Sequence, residues 1–291
     1  MGGIVEFAVR AGARRAVAGV LAALVVGGCG VACTKGDARQ SPGMTPAAAV
    51  AKAARNADDI TSLRYRMSGR IPEQGRVSAE AALTVKPLAM TMKTVVLDGP
   101  DKGEVVQTRL VGGALYMGGG EEVAKNMGGK HWMKFDVSAH SRTPGGLKLD
   151  TTKMRDQADK NPAQEAGFLT GSKDVKKVGS EKVDGVRTTH YQGTVTLAAI
   201  RAELRTKDKA TRERREKSLK QYEDMGADAL TMDLWIGPDD RTKQFRVRAA
   251  ADKGTLDVTM TFLDHNKPVT INAPAAKDTV DLARAMKDAQ G

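Results

Sequence analysis

Two side chains in this chain of 291 residues carry thiol chemistry, Cys29 and Cys33, and both lie near its start. The four histidines, His131, His140, His190 and His265, stand singly. No two have the spacing that would set a pair of imidazoles on one helical face around a metal. No Gly-x-Ser-x-Gly elbow or Ser-x-x-Lys pair occurs. Gly118-Gly119-Gly120 lacks the Lys-Ser or Lys-Thr of a phosphate loop and is expected to be a plain loop. Asp239-Asp240, beside Pro238, fits turn chemistry better than a pair of acid–base carboxylates. Reaction chemistry therefore reduces to the thiols. No catalytic residue is assigned, no enzyme activity is expected, and no cofactor or metal is called for.

Cys29 ends a segment suited to export. Arg10, Arg14 and Arg15 form a basic region, and residues 16–26 are apolar or small throughout. That run is short for a mature membrane-spanning helix and matches the apolar core of a signal peptide. It finishes in Val26-Gly27-Gly28-Cys29, which resembles the lipobox of bacterial lipoproteins. Small residues there admit a peptidase, and the thiol takes diacylglycerol and becomes the new N-terminus. Cys33 is the weaker acceptor, because Gly30 stands where an aliphatic residue is expected. A Cys29–Cys33 disulfide in an ordinary secreted protein is the alternative. The expected organisation is a signal peptide over 1–28, a lipidated N-terminus and flexible tether over 29–44, and a single domain over 45–291. A covalent diacylglycerol anchor at Cys29 would hold that domain at the cell membrane, on its extracytoplasmic face. The tether spans on the order of 15–20 Å.

The net charge is +11, but aromatic residues make up only 4% of the chain. A nucleic-acid binder would interleave aromatics with its basic residues or carry a reading module, so nucleic acid is set aside as a partner. The basic residues concentrate in 205–220, which holds eight Lys or Arg and three Asp or Glu. Leu204 and Leu219 anchor its ends, and its middle has no apolar stripe. It reads as a helical excursion into solvent, or as a contact with a membrane surface worth about 1 kcal/mol per basic residue.

The elements that must position everything else are strands. In 230–271, Leu230, Met232, Leu234 and Ile236 alternate with polar residues. Phe245 and Val247 do so after a Pro-Asp-Asp turn, and Leu256, Val258, Met260 and Phe262 after Asp-Lys-Gly. Period-two alternation between turn signals describes an antiparallel meander with one apolar face. Strands are also expected over 77–85, 88–92, 105–111, 114–117 and 131–135, with hairpins at Gly112-Gly113 and Asp184-Gly185. Thr45-Pro46 starts a helix expected to run to about Leu63. A loose helix broken by Pro162 is expected over 151–168, and a last helix over 275–289 carrying Val280, Leu282 and Met286. The tally is nine or ten strands and few helices. The fold class is α+β, a strongly curved antiparallel sheet forming an open half-barrel with helices over its concave face.

Of thirteen methionines, Met90, Met92, Met117, Met232 and Met260 fall on apolar strand faces. Met is a weaker strand former than Val or Ile, but flexible and polarizable. It therefore suits either gap-filling in a core or a surface that accepts variable apolar guests.

Several segments, in order, resemble actinobacterial lipoproteins of the LppX/LprG type, relatives of the LolA-like half-barrels. They are the lipobox at Cys29, Ala114-Leu115-Tyr116-Met117, Lys130-His131-Trp132-Met133, Val183-Asp184-Gly185-Val186 with Thr189-His190-Tyr191, Leu234-Trp235-Ile236-Gly237, and Asn266-Lys267-Pro268-Val269-Thr270-Ile271. The resemblance implies a curved sheet closed by helices over an apolar cavity that holds a lipid or other amphiphile. Met90, Met92, Leu115, Met117, Met232, Leu234, Met260 and Phe262 are the expected lining. The basic stretch 205–220 departs from that pattern. A monomer is expected. The contrasting expectation is a regulatory lipoprotein whose cavity is collapsed and whose surface engages a membrane-protein partner, since fold alone does not fix function.

Overall fold

The computed structural model describes residues 44–136, 162–282 and 284–285. Cys29, Cys33, the signal segment and His140 lie outside the described residues.

Helix α1 spans Pro46–Asp58. Thr45 caps it, its Oγ1 accepting a hydrogen bond from the Ala48 N–H at 3.3 Å, and Pro46 fills the first helical position. Its buried stripe is Ala49, Val50, Ala53 and Ala57. The strands are β1 (Ser62–Ile71), β2 (Gly75–Val85), β3 (Leu88–Val96), β4 (Val105–Val111), β5 (Ala114–Gly118), β6 (Trp132–Asp136), β7 (Lys176–Val183), β8 (Val186–Thr196), β9 (Ala229–Ile236), β10 (Thr242–Ala251), β11 (Gly254–His265) and β12 (Thr279–Asp281). They form one sheet in the order β12-β6-β5-β4-β3-β2-β1-β11-β10-β9-β8-β7. Every neighbouring pair is antiparallel except β12 with β6. The sheet is open, with β7 and β12 at its edges. It is also curved and twisted: Asp184, at the tip of the β7–β8 hairpin, pairs with Arg66 of β1 although three strands lie between β8 and β1.

The helices are α2 (Glu121–Asn126), α3 (Pro162–Glu165), α4 (Leu197–Leu204) and α5 (Lys209–Asp224), with a 3-10 turn over Ala166–Gly171. Residues of α1, α3, the 3-10 turn, α4 and α5 join the inner faces of β8–β11 and of β1 in the main core, around Phe168, Leu169, Ile200, Leu204, Leu219 and Leu230. Few helices therefore cover one face of a large sheet, as the alternation implies.

The structure corrects three expectations. Helix α1 stops at Asp58 instead of Leu63, and the ten residues of β1 follow at once. The expected C-terminal helix starts later than 275: a 3-10 turn over Ala276–Asp278 and β12, with Val280 paired to Met133, come first, and the described residues from Leu282 are helical, with Asp281 accepting from the Arg284 N–H at 3.2 Å; Met286 lies outside the described residues. The loose helix expected over 151–168 lies mostly outside the described residues; within them Pro162 stands first in α3, as suits a residue with no N–H to donate. Gly118 belongs to β5 and Gly120 leads into α2. With β1 and β12 added, the strands among the described residues number twelve.

Candidate functional site

In a sheet, residues directly opposite across strands share a face, so the register assigns every side chain. One inner-face row runs Leu63, Leu83, Met90, Leu110, Leu115 and Phe135. The next runs Phe262, Tyr65, Ala81, Met92, Thr108, Met117 and Met133. A third runs Leu234, Phe245, Met260, Met67, Ala79, Thr94 and Val106. Met232 follows with Val247 and Val258. All eight residues singled out in the sequence thus lie on one face.

They do not share one environment. Met232 and Leu234 are each 1% exposed and Phe262 is fully buried, with Phe262 packed against the rings of Tyr65 at 6.4 Å and Phe245 at 5.9 Å. Met90 and Leu115 are buried as well. Beneath the helices the face is a filled core. Met92, Met117 and Met260 are only half-buried, and two methionines not singled out in the sequence, Met67 and Met133, are half-buried beside them. Met67 escaped because β1 itself did. The five form a strip across the inner face from β11 to β6, with Thr94 and Thr108 as its polar members.

Next to this strip a depression of about 710 Å³ opens at one end of β2–β4. Val77, Thr94, Val96 and Val106 floor it, and Glu73, Asp98 and Asp101 stand at its rim. None of the eight residues lines it. Covered by another molecule, such a surface can supply apolar contact, with the carboxylates of Glu73, Asp98 and Asp101 at its edge. The phenols on the helix-covered part are silent near neutral pH. Burial first, and the Glu165 carboxylate second, push Tyr65 and Tyr222 upward, and Tyr222 donates to Glu165 at 3.2 Å.

The outer face carries a polar network that sequence spacing did not reveal. Asp233, 3% exposed, accepts from His190 Nε2 at 2.9 Å, Gln192 Nε2 at 2.9 Å and an Arg248 Nη at 2.6 Å. Burial pushes its carboxyl up, but these three bonds prevail and hold it below the usual carboxylate range. His190 stacks on Trp235 with ring centroids 4.3 Å apart, and the indole N–H donates to Glu181. Both nitrogens of His190 face carboxylates, since Nδ1 lies 3.3 Å from Glu181. The imidazole is held fast between these carboxylates, and among the described residues no serine or threonine hydroxyl bonds to it as a nucleophile would. Among the described residues no group of three or more His, Cys, Asp or Glu is arranged to hold a metal. No described helix is long and apolar enough to cross a membrane.

The basic stretch forms the body of α5, capped by Asp208, which accepts from the Thr211 N–H at 2.9 Å. Its C-terminal half is anchored through the buried Ser218, Leu219 and Tyr222, and the Arg215 guanidinium lies 5.9 Å from the Phe168 ring centroid. Lys209, Arg212, Lys217 and Lys220 face solvent.

No family model matches the chain. An "Uncharacterized 31.2 kDa protein in rplA-rplJ intergenic region" of Streptomyces griseus is 31% identical over 182 residues, 62% of this chain and 57% of that protein. A "Putative lipoprotein" of Streptomyces coelicolor is 33% identical over 91 residues, 31% of each chain. The matches thus span little more than half of the first relative and a third of the second. Among solved structures, the Mycobacterium tuberculosis lipoprotein LppX aligns over 78% of this chain and 98% of its own, at 16% identity and a TM-score of 0.47. Over part of its length the chain is thus similar in sequence to a protein described as a putative lipoprotein.

Proposed function

We propose that this chain is an extracytoplasmic lipoprotein, anchored through diacylglycerol on Cys29, that binds an acyl chain or similar amphiphile against the inner face of its sheet. The observation that carries the reading is the strip of half-buried methionines, Met260, Met67, Met92, Met117 and Met133, next to the depression floored by Val77, Val96 and Val106. Apolar burial at about 25 cal/mol per Å² drives such uptake without a covalent step. Unbranched thioether side chains adapt to guests of variable shape. Of the eight residues expected as lining, Met92, Met117 and Met260 would touch the guest directly. Met90, Leu115, Met232, Leu234 and Phe262 would form the wall behind them. The function is binding, with no catalytic role.

The filled core beneath α1 and the 3-10 turn favours a second reading, a regulatory lipoprotein that engages a membrane-protein partner and carries no lipid. Titration with a fluorescent long-chain fatty acid, displaced by unlabelled hexadecanoic acid, separates the two. Saturable, competed binding supports the acyl-chain reading. No binding to protein that has been solvent-stripped and refolded rejects it in favour of the partner.

A further inference from the structure

On the outer face, away from the methionine strip, β1, β2, β10 and β11 surround a depression of about 490 Å³. Its lining includes Arg70, Arg76 and Arg246 with the hydroxyl residues Ser68, Thr255 and Thr259. The register sets Arg70 directly opposite Arg76 on one side and Asp257 on the other. Two like charges facing each other across adjacent strands cost stability unless something offsets them. Asp257 does not, because its carboxylate takes both an Nε and an Nη bond from Arg246, at 2.7 and 2.6 Å. This two-bonded pairing holds Asp257 below the ordinary carboxylate range. Arg248, opposite Asp257, turns instead to Asp233 at 2.6 Å. Arg70 reaches Asp98 at 2.9 Å, whose other oxygen accepts the backbone N–H of Arg76 at 2.5 Å. Among the described residues no carboxylate pairs with the Arg76 guanidinium.

Gly69 shapes the floor. A Cβ there would run into the backbone of Asp257 and Val258, so glycine lets β1 and β11 close up beneath the arginines. Its φ of +154° also disfavours a side chain. The result is a concave polar surface with one guanidinium in excess, a second beside it and hydroxyls within the same hollow. Forked donors of this kind match the oxygens of a phosphate group.

We propose that this hollow binds a phosphate ester, with Arg76 and Arg70 as the ligand-contacting residues and Ser68 and Thr259 as neutral donors. The proposal does not depend on the acyl-chain reading: Arg70 borders both hollows, but Arg76, Ser68 and Thr259 line only this one. The phosphate could belong to a lipid headgroup or to a soluble compound, and both present the same group to the arginines.

The test is isothermal titration calorimetry of the intact chain with two probes, inorganic phosphate and dihexanoyl phosphatidic acid. Each probe is titrated alone and in competition, against the parent, Arg70→Ala, Arg76→Ala and Arg76→Lys. Saturable binding that weakens about tenfold in Arg76→Ala is expected, as for loss of a charge-assisted pair, with only partial recovery in Arg76→Lys. Competition by free phosphate would assign a site for soluble phosphate esters as well. Lipid binding with the same arginine dependence, but no competition, would assign the site to headgroups. Arg76→Ala should melt no lower than the parent, because it relieves a repulsion. Absence of saturable binding by either probe, binding indifferent to both arginines, or a lowered melting temperature in Arg76→Ala would each overturn the proposal.

Discussion

Changing Met92 and Met117 together to serine separates a guest-binding surface from a core more sharply than any other pair of changes in this sheet. Both side chains lie in the same inner-face row, on β3 and β5, with Thr108 of β4 between them. Both are half-buried before any guest arrives. Full burial of a methionine is worth ~1.5–3 kcal/mol, so completing it under a guest contributes about 1 kcal/mol for each residue. The double change should therefore weaken binding by about 2 kcal/mol, or about thirtyfold in Kd. Stability should fall less than for a change in the wall, because both side chains are only partly buried. Leu234→Ala is the counterpart. Leu234 is 1% exposed between Tyr191 and Phe245, so the change should cost about 2–5 kcal/mol of folding stability while the folded fraction binds as the parent does. Fluorescent fatty-acid titration and urea unfolding read the two quantities on the same samples. An unchanged Kd in the double serine variant, or a Leu234→Ala protein that stays folded but binds thirtyfold more weakly, would refute the division into strip and wall.

Asp233→Ala should destabilise the fold by about 3–5 kcal/mol, because it strands Arg248 and leaves His190 and Gln192 without their shared acceptor; thermal melting measures it. The Asp233 carboxyl is held below its unfolded value of about 3.9, so its contribution is complete above that pH and lost as pH falls through the folded value. Acid unfolding of the parent should accordingly show a midpoint shift that Asp233→Asn removes. At the opposite edge, the hydrogen bond to Asp278 raises His131, with Nδ1 2.8 Å from the carboxylate. That contact is fully present below the unfolded imidazole value of about 6.5 and lost as pH rises through the higher folded value. Limited proteolysis should trim the β12 segment faster above that range than below it, and Asp278→Asn should abolish the difference. Cys29→Ser should move the protein from the membrane fraction to the soluble one on cell fractionation.

How far the sequence carried depended on where the controlling interactions lay. The hairpins at Gly112-Gly113 and Asp184-Gly185 and the meander over β9–β11 were legible, because alternation and turn residues are local signals. β1 was not. Leu63, Tyr65 and Met67 alternate with Arg64, Arg66 and Ser68 as a strand should, but Leu63 lies only five residues after α1 ends, and the helical spacing of Val50, Ala53, Ala57 and Ile60 carries the expected helix up to it. Val280 joined a presumed helix because its strand identity comes from parallel pairing with Met133, far away in sequence. The register sets all eight candidate lining residues on one face, as strand parity implies. Their split into buried wall and half-exposed strip depends on where the helices cross the sheet, a tertiary fact with no local signature. The network around Asp233 joins residues 181, 190, 192, 233 and 248, which only the register brings together.

The central claim is that the inner face holds a lipid. Native mass spectrometry of the intact chain, expressed with Cys29→Ser and purified without detergent, tests it most directly. The account predicts a reproducible mass excess that solvent extraction removes and identifies as an acyl-bearing lipid, and that is diminished in the Met92→Ser, Met117→Ser variant. A bare polypeptide mass, unchanged after incubation with lipid vesicles, would contradict the account and turn the inquiry to a protein partner.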